Sequence, residues 1–200
     1  MKIICIGRNY AEHAKELNNP VPAEPVFFLK PDTAVLKENA PFYHPEFSND
    51  IHHEIELVLR VSKAGKHIHV DFAHNYIDSI SLGIDFTARD VQQKCKEKGL
   101  PWEKAKAFDG SAPVGSWMPF DAEKDYGFSL LVNNELRQSG KSSEMLFSFR
   151  QIIAYVSQFV TLKTGDLIFT GTPAGVSRVA IGDWLEAKMD GISLLKFEVR

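Results

Sequence analysis

Residues 51–61 read Ile51-His52-His53-Glu54-Ile55-Glu56-Leu57-Val58-Leu59-Arg60-Val61. Ile51, His53, Ile55, Leu57, Leu59 and Val61 fall on one parity, and His52, Glu54, Glu56 and Arg60 on the other. That is the pattern of a β-strand with one apolar face. Side chains two apart on a strand project from the same face, so Glu54 and Glu56 stand side by side and repel each other. One resolution is a divalent cation between them, because hard cations such as Mg²⁺ take carboxylate oxygens and keep positions open for water and substrate. The other is a solvent-facing polar edge with Arg60 softening the charge, and the pair taken alone favours that plainer reading.

Around this strand the chain has 200 residues, 44% of them hydrophobic and 24% charged, which predicts one domain over residues 1–200 with a real core. A formal net charge of -3 offers no basic excess for nucleic acid, so the expected partner is a small molecule. The apolar run before Gly7 is too short for a signal-peptide core or a membrane span, so the expected location is cytoplasmic. Cys5 and Cys95 lie in strand-like and helix-like runs and read as reduced packing residues.

In chain order, residues 2–6 predict a short buried strand. Asn9 then caps a helix over 10–17 with Glu12 at N3, and Tyr10, Ala14 and Leu17 form its apolar stripe. His13 and Glu16 lie three apart on that helix and can touch, which makes either a base oriented by a carboxylate or an ordinary surface pair. Phe27 to Pro31 predicts a buried strand ending in Lys30, which binds an anion or snorkels. Ser79 to Phe86 predicts a strand ending at Asp85, followed by a capping-box-like Thr87-Ala88-Arg89-Asp90 and a helix that stops at Gly99. The helix N-terminus favours the ionised form of Asp85, and Arg89 and Gln92 share one side of the helix.

Lys104 and Lys106 share a parity in an extended reading. Hairpins are predicted at Asn133-Asn134 and Asp190-Gly191, and an amphipathic helix carrying Ile152, Ile153, Val156, Phe159 and Val160 opens at Ser148 with Gln151. The strand from Leu167 to Thr170 delivers the loop Thr170-Gly171-Thr172-Pro173-Ala174-Gly175, a modest anion cradle that lacks the Gly-Lys-Ser/Thr of a P-loop.

Seven motifs spread over the chain carry a further reading: G-R-N-Y at 7–10, A-E-H-A-K-E at 11–16, F-L-K-P at 28–31, H-H-E-I-E-L at 52–57, D-F-T-A-R-D-V-Q at 85–92, K-G-L-P-W-E-K-A-K-A-F at 98–108 and T-G-T-P at 170–173. Through them the sequence resembles the fumarylacetoacetate hydrolase family, and within it the short acylpyruvase and oxaloacetate decarboxylase branch. The resemblance implies an α+β, β-rich fold, a mixed β-sandwich roll with a few flanking helices, and a homodimer. It implies that Glu54, Glu56 and Asp85 hold Mg²⁺ or Mn²⁺, that His13 and Glu16 activate water on a helix that orders as a lid, and that Lys106 and Gln92 contact substrate or stabilise negative charge. Arg8, Tyr10, Arg89 and Thr172 fall at its pocket-lining positions.

The activity so implied is hydrolysis of the carbon-carbon bond of acylpyruvates, with pyruvate leaving as its enolate. Oxaloacetate decarboxylation and keto-enol isomerisation of 2-oxo acids are alternatives at the same site. A non-catalytic metal-binding scaffold is the reading from a different class.

Overall fold

The computed structural model describes residues 1–16, 20–36 and 39–200. The stretch at 51–61 is two strands rather than one: β4 (Ile51–His53) and β5 (Ile55–Val61) belong to different sheets, and the chain changes sheet at Glu54. β5 lies inside a six-stranded sheet of order β2 (Val26–Lys30), β1 (Ile3–Gly7), β12 (Leu167–Phe169), β5, β6 (Ile77–Ile84), β9 (Met118–Pro119). β1 and β12 run parallel and the other pairs antiparallel. β4 sits between β7 (Thr87–Ala88) and β13 (Ser177–Arg178) in a three-stranded sheet. A four-stranded antiparallel sheet is ordered β11 (Glu135–Lys141), β10 (Gly127–Val132), β14 (Trp184–Met189), β15 (Ile192–Glu198), and β3 (Val35–Leu36) pairs with β8 (Ala112–Pro113). The helices α1 (Ala11–Glu16), α2 (Arg89–Lys98), α3 (Glu103–Lys106) and α4 (Phe149–Phe159) flank these sheets. This is the β-rich mixed roll with few helices that the resemblance implies.

β5 and β6 pack against the four-stranded sheet, so Leu57, Leu59, Leu82 and Ile84 share a core with Leu130, Ala187, Leu195 and Phe197. On the opposite face Val58 packs with Ile3, Cys5 and Phe169. β5 is therefore buried on both faces, and each of its leucines contributes about 1.5–3 kcal/mol by leaving water. Such a strand has no solvent-facing edge on which to place two glutamates.

Both hairpin turns form as the sequence predicts, with φ of 53° and 67° at Asn133 and Asn134 and 49° and 83° at Asp190 and Gly191. Ser148 and Gln151 form the capping box of α4, whose Ile152, Ile153 and Val156 are buried while Phe159 is exposed. Other expectations shift. The Asn9 side chain bonds the carbonyls of Phe147 and Thr170 and accepts from the Phe147 N–H, so it fastens distant loops instead of capping α1. Leu17 lies outside the described residues. α2 ends at Gly99 in the left-handed conformation, yet its N-cap is Ala88, without a side-chain cap. Cys5 and Cys95 are free and buried. Among the described residues no helix is long and apolar enough to cross a membrane.

Candidate active site

The change of sheet at Glu54 builds the site. The antiparallel partner makes the same change at the same level: Ile55 pairs with Ile84 in one sheet, His52 with Thr87 in the other, and the Asp85 N–H donates to the Glu54 carbonyl at 2.8 Å between them. Two strands bending together turn Glu54 and Asp85 into one corner, and Glu56, two residues on, joins them. The three carboxylates are buried, with one oxygen from each lying within 4.8 Å of the others.

Three cations meet this cluster. Lys106 Nζ, delivered by α3, donates to Glu54 at 2.8 Å, to Asp85 at 2.7 Å and to the Thr87 hydroxyl. Arg89 donates to Glu54 at 2.6 Å. Lys30, fully buried at the end of β2, gives its protons to the Phe86 carbonyl and to both oxygens of Ser111, and its ammonium lies 2.8 Å from Asp85 Oδ1. Burial pushes the Glu54 carboxyl up, but Lys106 and Arg89 outweigh it and hold that group well below the usual carboxylate range. Burial would likewise pull the Lys106 ammonium down, and Asp85 and Glu54 reverse the direction.

Glu56 is different. It touches none of the three cations and accepts a hydrogen bond from the Gly171 N–H at 2.7 Å. Burial, then the neighbouring Asp85, push its carboxyl well above the usual range. Asp85 Oδ1, although close to Lys30, is a buried oxygen without a directed hydrogen bond. Among the described residues a hard divalent cation fits this donor set: it would supply charge to Glu56, the carboxylate that no side-chain cation compensates, and a ligand bond to Asp85 Oδ1, the fully buried carboxylate oxygen left without a donor. Lys106 already shows that Glu54 and Asp85 are arranged around a positive charge.

His13 lines the same cleft, and its Nδ1–H donates to Glu16 at 3.1 Å. Glu16 is itself held by the Gly175 N–H at 3.0 Å. The loop 170–175, read from sequence as an anion cradle, thus spends two amides on the site's own carboxylates, Glu56 and Glu16. Its Gly171 has φ of +102°, and a Cβ there would stand 2.6 Å from Asn9 Cβ, so only glycine permits the close approach. With Nδ1 committed to Glu16, Nε2 is the basic position of His13. Arg89 also donates to Gln92 Oε1 at 2.8 Å, which leaves the Gln92 amide NH₂ as that residue's free donor. Arg8, in the left-handed region at φ 60°, and Thr172 line the cleft with these groups.

The sequence profile described as "Fumarylacetoacetate (FAA) hydrolase C-terminal" matches residues 2–200. The chain belongs to the fumarylacetoacetate hydrolase family. It is 46% identical over 201 residues to the mitochondrial oxaloacetate tautomerase FAHD1 of Mus musculus, covering 99% of this chain and 91% of that protein. It is 39% identical over 203 residues to a mitochondrial oxaloacetate decarboxylase of Dictyostelium discoideum, covering 99% and 93%. The crystal structure of a fumarylpyruvate hydrolase from Pseudomonas aeruginosa in complex with Mn²⁺ and pyruvate superimposes with a TM-score of 0.94 at 36% identity, covering 100% and 89%.

Within this family member the cleft brings together His13, Glu54, Glu56, Asp85, Arg8, Arg89, Gln92, Lys106 and Thr172, with Glu16 bonded behind His13. Tyr10 does not join them: its ring packs edge-on against Phe128 in the core and its hydroxyl donates to the Lys141 carbonyl, because the bridge from Tyr10 to Met145 turns it away. Arg60 pairs with Asp78 and Ser79, far along β5, so it does not soften the Glu54/Glu56 charge. Lys104 and Lys106 are not extended neighbours; one turn of helix exposes the first and buries the second. Lys30, read as an anion binder or a snorkelling lysine, is instead an internal counter-ion of Asp85.

Two expected results follow from these charges. Lys30→Met leaves Asp85 short of one buried partner and lowers stability by about 3–5 kcal/mol, readable as a fall in the denaturant midpoint. A loss below about 1 kcal/mol would mean that Lys106 alone suffices. The second concerns pH. Folding raises the Glu56 carboxyl, so above its unfolded value of about 4.3 the native state keeps a proton the unfolded chain has lost, and stability of metal-free protein falls as pH rises through that window. His52 and His53, both lowered chiefly by burial, act in the opposite direction below about 6.5. The wild-type stability curve minus that of Glu56→Gln therefore slopes downward with pH, and a flat or rising difference would contradict the assignment.

Proposed function

We propose that the chain is a divalent-metal enzyme of 2-oxo acids that interconverts the keto and enol forms of oxaloacetate. The observation that carries the reading is the placement of a tautomer-fixed base, His13, in the same cleft as a buried Glu54/Glu56/Asp85 cluster fit for Mg²⁺ or Mn²⁺. A cation held by those three carboxylates supplies Lewis acidity to the 2-oxo acid. The residues do the rest. His13 Nε2 takes a proton from the carbon between the 2-oxo group and the distal carboxylate, with Glu16 holding the imidazolium that results. The electron pair moves onto the 2-oxo oxygen, where the Lys106 ammonium and the Gln92 amide oppose the growing charge. The imidazolium returns its proton, through water, to that oxygen, which completes the enol and leaves His13 neutral, and the reverse sequence restores the ketone.

The cleft wall supports a dicarboxylate. Arg8, Arg89 and Lys96 line it together, and among the described residues neither Arg8 nor Lys96 has an acidic partner. The Lys96 ammonium, 5.8 Å over the Trp102 ring, is pulled down by desolvation and by Arg89 and Arg8, a mutual repulsion that a second substrate carboxylate relieves.

Acylpyruvate hydrolysis is the second reading, favoured by the same dyad: His13 removes a proton from water, the hydroxide adds to the distal carbonyl, and pyruvate leaves as its enolate. The test is a paired assay of metal-stripped protein with and without added Mg²⁺ or Mn²⁺, following ketonisation of enol-oxaloacetate, its decarboxylation, and cleavage of acetylpyruvate. Metal-dependent ketonisation as the fastest of the three is expected. Turnover of acetylpyruvate alone would replace this reading by the hydrolase, and no turnover of any would restore the scaffold.

A further inference from the structure

Gln138 on β11 is buried and carries no chemistry of its own, yet all four of its hydrogen-bonding positions are used. Its Oε1 accepts from the Ile55 N–H at 3.0 Å and from His53 Nδ1 at 2.9 Å. Its Nε2 donates to the Pro173 carbonyl at 2.9 Å and to the Thr172 hydroxyl oxygen at 2.8 Å. Two backbone groups settle which end of the amide is which, since an N–H only donates and a carbonyl only accepts. The consequence reaches the cleft. Thr172 Oγ1 receives a proton from Gln138, and among the described residues its own O–H donates to no protein group. Thr172 is buried and lines the cleft beside Glu56 and His13.

We propose that Gln138 is a positioning residue that aims the Thr172 hydroxyl proton into the cleft, making Thr172 an obligate donor to an anionic oxygen of the substrate. Without that bond the hydroxyl rotates freely and accepts as readily as it donates. The same network fixes His53, whose Nδ1–H faces Gln138 and whose Nε2 accepts from the Ser177 hydroxyl at 2.8 Å. A chain of three side chains thus ties the pairing of β4 with β13 to the loop that closes the site. The proposal rests on the 2-oxo acid reading, because it assigns the hydroxyl to that substrate's oxygens.

The substitution Gln138→Glu is isosteric and keeps an acceptor for His53 and Ile55, but the second carboxylate oxygen it introduces gives up the bond to the Pro173 carbonyl and draws the Thr172 proton away from the cleft. The probe is oxalate, a planar dianion, titrated calorimetrically into Mg²⁺-loaded protein. Gln138→Glu and Thr172→Val are each expected to weaken oxalate binding by about tenfold or more, with Thr172→Ser near wild type. The double variant Gln138→Glu/Thr172→Val is expected to be no weaker than Gln138→Glu, since the Thr172 proton is already drawn away from the cleft there. Additive losses, or wild-type affinity in Gln138→Glu, overturn the proposal. A wild-type protein that fails to bind oxalate overturns the substrate reading and this inference with it, a result distinct from the other two. Should Gln138→Glu not fold, the wild-type protein still decides: ¹⁵N shifts of His53 are expected to show a protonated Nδ1, and an Nε2–H tautomer would mean a reversed amide and sink the assignment.

Discussion

Glu56→Ala is expected to abolish high-affinity Mg²⁺ or Mn²⁺ binding and to lower every metal-dependent turnover by at least about a hundredfold, the upper end of what outer-shell changes cost at metal sites. The reason lies in how the charges are distributed. Glu54 is compensated by Lys106 and Arg89, and Asp85 by Lys106 and Lys30, whereas among the described residues Glu56 has only an amide N–H. It is the carboxylate whose burial the polypeptide alone does not offset. Removing it therefore strands no buried cation, and the metal-free variant is expected to be as stable as wild type or more so. Calorimetric titration of the metal, run beside chemical denaturation of both proteins, checks the two halves together. A variant that binds metal normally would remove Glu56 from the ligand set. A variant that simply unfolds would show that the carboxylate is structural.

His13→Ala is expected to divide the reactions proposed for this cleft. Ketonisation and acylpyruvate hydrolysis each need a proton moved by a base, and general-base catalysis contributes about 10²–10⁴-fold, so both fall by that amount. Loss of CO₂ from oxaloacetate leaves the electron pair on carbon without any proton being removed, so decarboxylation is expected to stay within about tenfold of wild type. Glu16→Gln still accepts a hydrogen bond from Nδ1 but holds the imidazolium less well, and its losses are expected to be smaller. Initial rates with the three substrates at one metal concentration suffice. An equal loss of all three activities in His13→Ala would contradict the division and place His13 in substrate binding.

Much of this site is legible in the sequence. The motifs that carry the family resemblance contain Glu54, Glu56, Asp85, His13, Glu16, Arg89, Gln92, Lys106 and Thr172, and all of them gather around one cleft. The alternation at 51–61 is a weaker guide. It describes a single strand with a polar face, while the chain bends at Glu54 and both faces of β5 are covered. Periodicity reports which side chains share a face and is blind to a strand that changes sheet partway.

The same blindness hides other residues. Lys30 reads as a strand-end lysine because its partners, Asp85 and Ser111, are more than fifty residues away in sequence. His53 falls on the apolar parity, and nothing local announces that Gln138 will meet it across 85 residues. Tyr10 errs in the other direction: its place in G-R-N-Y puts it beside the cleft residues in sequence, but the packing of its ring on Phe128 takes it into the core.

The most direct test of the metal site is an anomalous-difference map from crystals of this protein soaked with Mn²⁺ and oxalate. One strong peak ligated by Glu54, Glu56 and Asp85 is expected, with oxalate beside it within reach of Thr172 and Lys106. A cleft without manganese, or manganese bound elsewhere while Lys106 still bridges Glu54 and Asp85, would contradict that expectation.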